Sequence, residues 1–312
     1  MAQGTTFTLP NYTGELFELN PNGARFFSAI GGMNGLRTVS NIQFGITTYD
    51  LGSDDSNPDA LEGQDAPDTA PVARSGLSNI VEIFHESVNI SYSKQASTEK
   101  LATDAIDGVN NVVDEKSWQV EQKIKKIARR INYQFLNGTY SFPADNTTAR
   151  KTRGLLSAIT TNVVVADGGT GAPDNLSASY IELLIKKIFD NGGMEYDDTL
   201  TIITNTAQKI KLDSIYGQPV QSTTVGGVKL EQIYTPLCEL NIMLDKHMPQ
   251  DTIVISTLSM CKPVGLFVPN KGVFFEEPLA KTGASDKSQL YGEFGLDYGV
   301  ERFHGKITNL IG

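Results

Sequence analysis

The side chains able to do chemistry are few and scattered. His85, His247 and His304 are the only histidines, and none stands in a spacing that would make a metal ligand pair with a second histidine or a cysteine. Cys238 and Cys261 are the only cysteines, each among apolar neighbours, which reads as two reduced core thiols. Glu276 and Glu277 are adjacent. On a strand they point to opposite faces and cannot serve one substrate as acid and base. The DGGTGAP stretch at 167–173 has the glycines of a phosphate cradle but lacks a following Lys-Ser/Thr and the strand-to-helix setting of a P-loop, so it reads as a linker turn. No Gly-x-Ser-x-Gly elbow occurs. The expectation is no catalytic residue, no cofactor and no metal.

What remains is charge. The chain of 312 residues carries 26 Lys plus Arg against 36 Asp plus Glu, a formal −10, which argues against nucleic-acid binding by the surface as a whole. Three local groups depart from the average. Residues 50–68 hold Asp50, Asp54, Asp55, Asp59, Glu62, Asp65 and Asp68 with no Lys or Arg, broken by Gly52, Pro58, Gly63 and Pro67. Such a loop is either a solvated tip or the end of a projecting hairpin that lies on another subunit. Residues 116–130 are the reverse, with Lys116, Lys123, Lys125, Lys126, Arg129 and Arg130 against Glu121 alone. Arg150, Lys151 and Arg153 form the third group.

The element that must carry the second group is a long helix. Val113, Val120, Ile124, Ile127, Ile131 and Phe135 make one apolar stripe at the helical period, and Asn137-Gly138 closes it. Starting near Val112, this spine would be about 35–40 Å long, apolar on one side and cationic on the other. Before it, residues 1–37 hold Phe7, Phe17, Phe26 and Phe27 between frequent glycines and prolines, an arm with anchors but no core of its own. Residues 39–49 and 80–92 read as strands, with Val88, Ile90 and Tyr92 on one face. Residues 155–165 read as strand.

A helix follows from Ser177, with Ile181, Leu184, Ile185 and Ile188 inward and Asn191-Gly192-Gly193 as its stop. A short strand at 200–203 precedes a helix opened by Asn205, with Ala207, Ile210 and Leu212 near its face, and then several further strands. The end of the chain, from Val273, is long glycine-broken strands expected beside the spine. The whole is an α+β chain. No stretch approaches the ~20 apolar residues of a membrane span, and the first residues lack the pattern of a signal peptide, so a soluble protein kept in a cytoplasm is expected.

This order of parts resembles the major capsid proteins of tailed bacteriophages, with their Hong Kong 97-type fold. The residues that carry the likeness are GARFFSAIGG at 23–32, ESVNIS at 86–91, IARRI at 127–131 ahead of FLNG at 135–138, GLL at 154–156, QLYGEF at 289–294 and HGKI at 304–307. The resemblance implies an N-terminal arm (1–37), an extended loop (38–95), a peripheral domain with the spine (96–175), an inserted axial domain (176–271) and return strands of the peripheral domain (272–312). It implies self-assembly as hexamers and pentamers into an icosahedral head around double-stranded DNA, in the virion and, before that, in the host cytoplasm. Because nothing ahead of the arm looks like a helical scaffolding segment, a separate scaffolding protein is implied, together with a portal; no membrane is involved.

Four sets of residues are then expected at assembly contacts. Phe7, Phe17, Phe26 and Phe27 would anchor the arm on neighbouring subunits. Asp54, Asp55, Asp59, Glu62 and Asp65 would meet Arg150, Lys151 and Arg153 of an adjacent copy. Lys123, Lys126 and Arg130 would either face the shell interior and meet packaged DNA or an acidic scaffold, without sequence preference, or form a solvated surface. A compartment shell of the same fold and an α+β enzyme are the alternatives.

Overall fold

The computed structural model describes residues 23–49, 61–63, 65, 74–93, 115–194, 199–217, 221–281 and 283–312. The spine is present as α2 (Glu115–Asn137), preceded by a five-residue arm helix, α1 (Arg25–Ala29). Val120, Ile124, Ile127, Ile131 and Phe135 are all buried, as their spacing requires, whereas Trp118 is 46% exposed. At 1.5 Å per residue α2 is about 35 Å long.

It lies across a five-stranded sheet. β13 (Ser285–Asp297) is the centre, with β4 (Glu82–Ser91) along one edge and β12 (Phe274–Pro278) and β11 (Lys262–Leu266) in succession along the other. The three-residue β1 (Arg37–Val39) adds to β11 in parallel. On β4 the inward residues are Glu82, Phe84, Val88 and Ile90, and Glu86 is half-buried between them. A separate hairpin of β2 (Gln43–Tyr49) and β3 (Arg74–Ile80) projects from this sheet. The expected single strand at 80–92 is therefore two, meeting at Val81, and it ends at Ser91, leaving Tyr92 exposed.

The second sheet has seven strands in the order β5 (Val163–Val165), β14 (His304–Thr308), β10 (Ile253–Ser256), β6 (Leu200–Thr204), β9 (Glu239–Leu244), β8 (Val228–Tyr234), β7 (Gln221–Val225). Both faces of its centre are covered. Ile202, Ile242 and Ile255 pack against α4 (Ala178–Asp190) and α5 (Thr206–Tyr216), while Ile203, Met243 and Val254 join the core around the spine. That double burial explains why every residue of β6 and β10 is buried, without the alternation of a half-exposed strand.

The expected boundaries are corrected by strand partners. Lys262–Leu266 pairs in the five-stranded sheet, although it falls within 176–271, while Val163–Val165 and His304–Thr308 sit side by side in the seven-stranded one. These are short apolar runs whose sheet is chosen by a partner far away in sequence. Residues 155–165 are likewise not one strand, since Leu155–Ala158 forms the short helix α3. Asn205 caps α5 as expected, accepting from the Gln208 N–H, whereas the Ser177 hydroxyl makes no cap bond to α4. Ile210 is 70% exposed, and Gln208 and Leu212 hold the inner face of α5 instead.

Candidate functional site

With no catalytic constellation expected, the candidate site is the set of surfaces by which one copy meets another. The spine's basic face comes first. Most of its cations are paired with carboxylates, although Lys116, Lys126 and Arg130 keep about half of each side chain exposed. Lys123 and Lys126 reach Glu86 at 3.0 and 2.6 Å, Arg130 approaches Glu82 at 3.7 Å and lies over the Phe84 ring, and Lys116 pairs with Glu276 at 3.3 Å. Lys125 pairs with Glu121 one turn away. Of the six, Arg129 alone has no carboxylate partner among the described residues. Burial alone would raise the Glu86 carboxyl, but hydrogen bonds from Lys126 and Lys123 outweigh it and hold it below its ordinary range. Glu82 is more deeply enclosed; burial pushes it up despite the Thr152 N–H and Arg130. To the expected roles of Lys123, Lys126 and Arg130 the structure adds a ladder of ion pairs between helix and sheet, with Lys126 and Arg130 still about half exposed. The sequence hid it because its acids lie on β4 and β12, far from the helix in the chain.

The reading of the arm is corrected. Phe26 and Phe27 are fully buried within their own chain, Phe27 edge-on to Phe135 of the spine at 5.8 Å. They lie on a turn of helix that the spine and the seven-stranded sheet together enclose, so no neighbour is needed to cover them. Phe7 and Phe17 lie outside the described residues.

The hairpin has a rigid root. Asn79 is buried, and its amide donates to the Leu296 carbonyl (2.7 Å) and the Arg153 carbonyl (3.1 Å) while its side-chain oxygen accepts from the Arg153 N–H (2.9 Å). Gly295 lets this root approach, since a Cβ there would stand 2.8 Å from the Ile80 carbonyl oxygen. Farther out, Leu77 is exposed, and Gly45 and Gly76 face open space. Glu62 and Asp65 are exposed; Asp54, Asp55 and Asp59 lie outside the described residues.

The three receiving cations are not equivalent. Arg150 is committed within its own subunit, donating to the Glu293 carboxylate and, through Nε, to the Val81 carbonyl (2.9 Å). It is withdrawn as a receiver. Lys151 is exposed. Arg153 stacks over the Tyr140 ring at 4.8 Å and bonds the Tyr298 hydroxyl at 3.4 Å, on the wall of a cleft of about 440 Å³ that Leu77 and Glu301 also line.

Residues that sequence reasoning passed over join the arm, the spine and the second sheet. Asp245, at the end of β9, is 2% exposed. Its Oδ2 accepts from Asn132 Nδ2 (2.8 Å) and the Phe26 N–H (3.4 Å), and its Oδ1 from the His247 N–H (2.8 Å). Burial opposes its ionisation, but the bonds from His247 and Asn132 prevail and lower its pKa. The one sequence signal was Asn132 itself, a polar residue beside the apolar stripe. His304 is buried between Ser256 and the Tyr298 carbonyl, and His85 lies on the exposed side of β4. Among the described residues no three His, Cys, Asp or Glu side chains gather as a metal would require, and no helix is long and apolar enough to cross a membrane.

A spine laid across one sheet, a second sheet inserted beyond it, a projecting hairpin and an arm define a shell-forming capsid subunit of the Hong Kong 97 type. Solved structures agree on the fold. The capsid of cyanophage A-1(L) matches with a TM-score of 0.67 over 93% of each chain at 12% identity. The capsid of a native GTA particle gives 0.56 over 88% of each chain at 12% identity. The encapsulin SrpI of Synechococcus elongatus PCC 7942 gives 0.55, covering 88% of this chain and 84% of its own, at 11% identity. No curated protein sequence matches. The family is assigned by sequence: the model of the SU10 major capsid protein matches residues 1–311, and the chain belongs to that family.

Proposed function

We propose that this subunit builds the icosahedral head of a tailed phage, as hexamers and pentamers that assemble in the host cytoplasm around a separate scaffolding protein and a portal and then enclose double-stranded DNA. The observation that carries this reading is the family match over essentially the whole chain, joined to a projecting hairpin on which Leu77 is exposed and a Cβ on Gly45 or Gly76 would meet nothing within 4 Å. The ion-pair ladder supports a shell that contains DNA without gripping it, because Lys123, Lys126 and Arg130 are already opposed by Glu86 and Glu82. Lys151 and Arg153 are the receivers we assign to the acidic loop of an adjacent copy.

Electron microscopy of the purified protein, alone and with the candidate scaffolding protein from the same genome, tests this. Closed shells of uniform size that need the scaffold are expected. Small soluble oligomers under every condition would overturn the reading, and shells that enclose a co-purified enzyme would favour a compartment.

A further inference from the structure

The arm helix occupies an unusual place for five residues. It touches the spine through Phe27 and through Asn132, whose side-chain oxygen accepts from the Phe27 N–H at 2.9 Å. It touches the seven-stranded sheet at two separate points. At the end of β9, Arg25 donates to the Leu244 carbonyl (3.0 Å) and the Phe26 N–H reaches Asp245. At the β7–β8 turn, Gly226 has φ +56, and a Cβ there would fall 2.1 Å from the Ser28 carbonyl oxygen. The turn therefore rests on the arm helix backbone itself.

Asp245 is where the three bodies meet. A carboxylate removed from water is strongly unfavourable unless its oxygens are bonded, and here the donors come from the arm, the spine and the turn after β9 together. Asn132 also lies 2.9 Å from His247 Nδ1, which is 3.1 Å from Asp245 Oδ1, and Asn137 of the spine donates to the His247 carbonyl at 2.8 Å. If the arm helix leaves, Asp245 and Asn132 each lose a bond and the cover of Phe26 and Phe27, and the carboxylate must hydrate.

We propose that the arm helix is a seated wedge that fixes the angle between the spine and the seven-stranded sheet, with Asp245 and Asn132 as the positioning residues that register it. The angle that this wedge fixes within the subunit sets, in turn, the curvature of the shell. The last step rests on the shell reading; the wedge does not.

The test uses full-length chains. Asn132→Asp sets two carboxylates together; the exchange Asn132→Asp with Asp245→Asn restores an amide-to-carboxylate pair; Gly226→Ala lifts the hairpin turn from Ser28 and leaves Asp245 untouched. Amide hydrogen exchange on the unassembled subunit is expected to quicken roughly tenfold or more in Asn132→Asp. The rise should appear in residues 25–31, 131–137 and 244–248 together, with β6 and β10 unchanged, and the exchanged pair should restore most of it. Gly226→Ala should quicken 25–31 and 244–248, and both single variants should broaden the distribution of shell diameters. Faster exchange confined to the substituted element, or no recovery in the exchanged pair, would overturn the wedge. Normal shells from a subunit with the coupled exchange defect would overturn its role in curvature. Absence of shells from the unaltered protein would count against the shell reading and leave the exchange result standing.

Discussion

His304 shows how a residue suited to chemistry is used for architecture. Nε2–H donates to the Tyr298 carbonyl (2.6 Å), and in the neutral ring that burial favours, Nδ1 accepts from the Ser256 hydroxyl (2.9 Å). Burial pulls its pKa from 6.5 down to about 4. The unfolded chain then takes up a proton near pH 6.5 that the folded chain refuses until about pH 4. Stability from this residue is therefore complete above about pH 6.5, declines as pH falls, and levels off below about pH 4. The expected loss is about 2 kcal/mol by pH 5 and about 3 kcal/mol by pH 4. Urea unfolding of the unassembled subunit between pH 7.5 and 5 reads this before the lowered carboxylates, Asp245 and Glu86, add their own loss below about pH 4.5. His304→Gln should be less stable at pH 7.5 and nearly flat across that window. An equally steep slope in the variant would assign the pH dependence elsewhere. In the sequence, the isolation of His304 from the other histidines was legible; its burial was not, because Ser256 is far from it along the chain.

At the scale of elements, the spine was legible in its stripe and its end, but for Gly138 the physical reason differs. A helix-stopping glycine is expected in the left-handed region, and Gly138 is not there. A Cβ on Gly138 would stand 2.4 Å from the Gln134 carbonyl oxygen and 2.5 Å from that of Thr152, and one on Gly154 would stand 2.5 Å from the Gly138 nitrogen. Two backbones cross in contact, tied by the Gly154 N–H to the Gly138 carbonyl at 2.8 Å. Both motifs, FLNG and GLL, were visible; that they touch was not. Since the obstructing atoms are backbone, Gly138→Ala should cost about 3 kcal/mol in chemical denaturation. Gly45→Ala, with nothing near its Cβ, should stay within about 0.5 kcal/mol. Equal stabilities would mean the crossing is loose.

The ladder on the other side of the same helix makes a second expectation. Glu86→Gln leaves Lys123 and Lys126 unopposed, so the subunit should lose on the order of 1 kcal/mol and retain DNA to a higher salt concentration on a DNA column. Unchanged retention would mean that this face is not accessible to DNA, paired or not.

For the whole molecule, the class of protein was legible because the order arm, hairpin, spine, inserted sheet and returning strands is a one-dimensional pattern. What one chain does to the next was only partly so. The sequence offered three cations to the acidic loop, and the structure separates them: Arg150 is bonded to Glu293 in its own subunit, Arg153 is half-committed to Tyr140 and Tyr298, and Lys151 is exposed. If the loop settles on an adjacent copy, the contact is between solvated charges repeated around the shell. Such contacts govern encounter and salt response more than final stability. Changing Asp54, Asp55 and Asp59 to Lys should leave the subunit's melting temperature within about 2 °C and slow assembly most at low salt. Lys151→Glu in the same chain should recover part of the rate, Arg153→Glu less, because its stacking on Tyr140 is lost as well. Arg150→Glu should recover nothing, since it opposes a carboxylate to Glu293 and destabilises the subunit itself. Light scattering of assembly across a salt series distinguishes these. A triple Lys variant that assembles at the unaltered rate with the unaltered salt response would make residues 50–68 a solvated tip, and would leave the hairpin's rigid root to be explained by some contact other than charge.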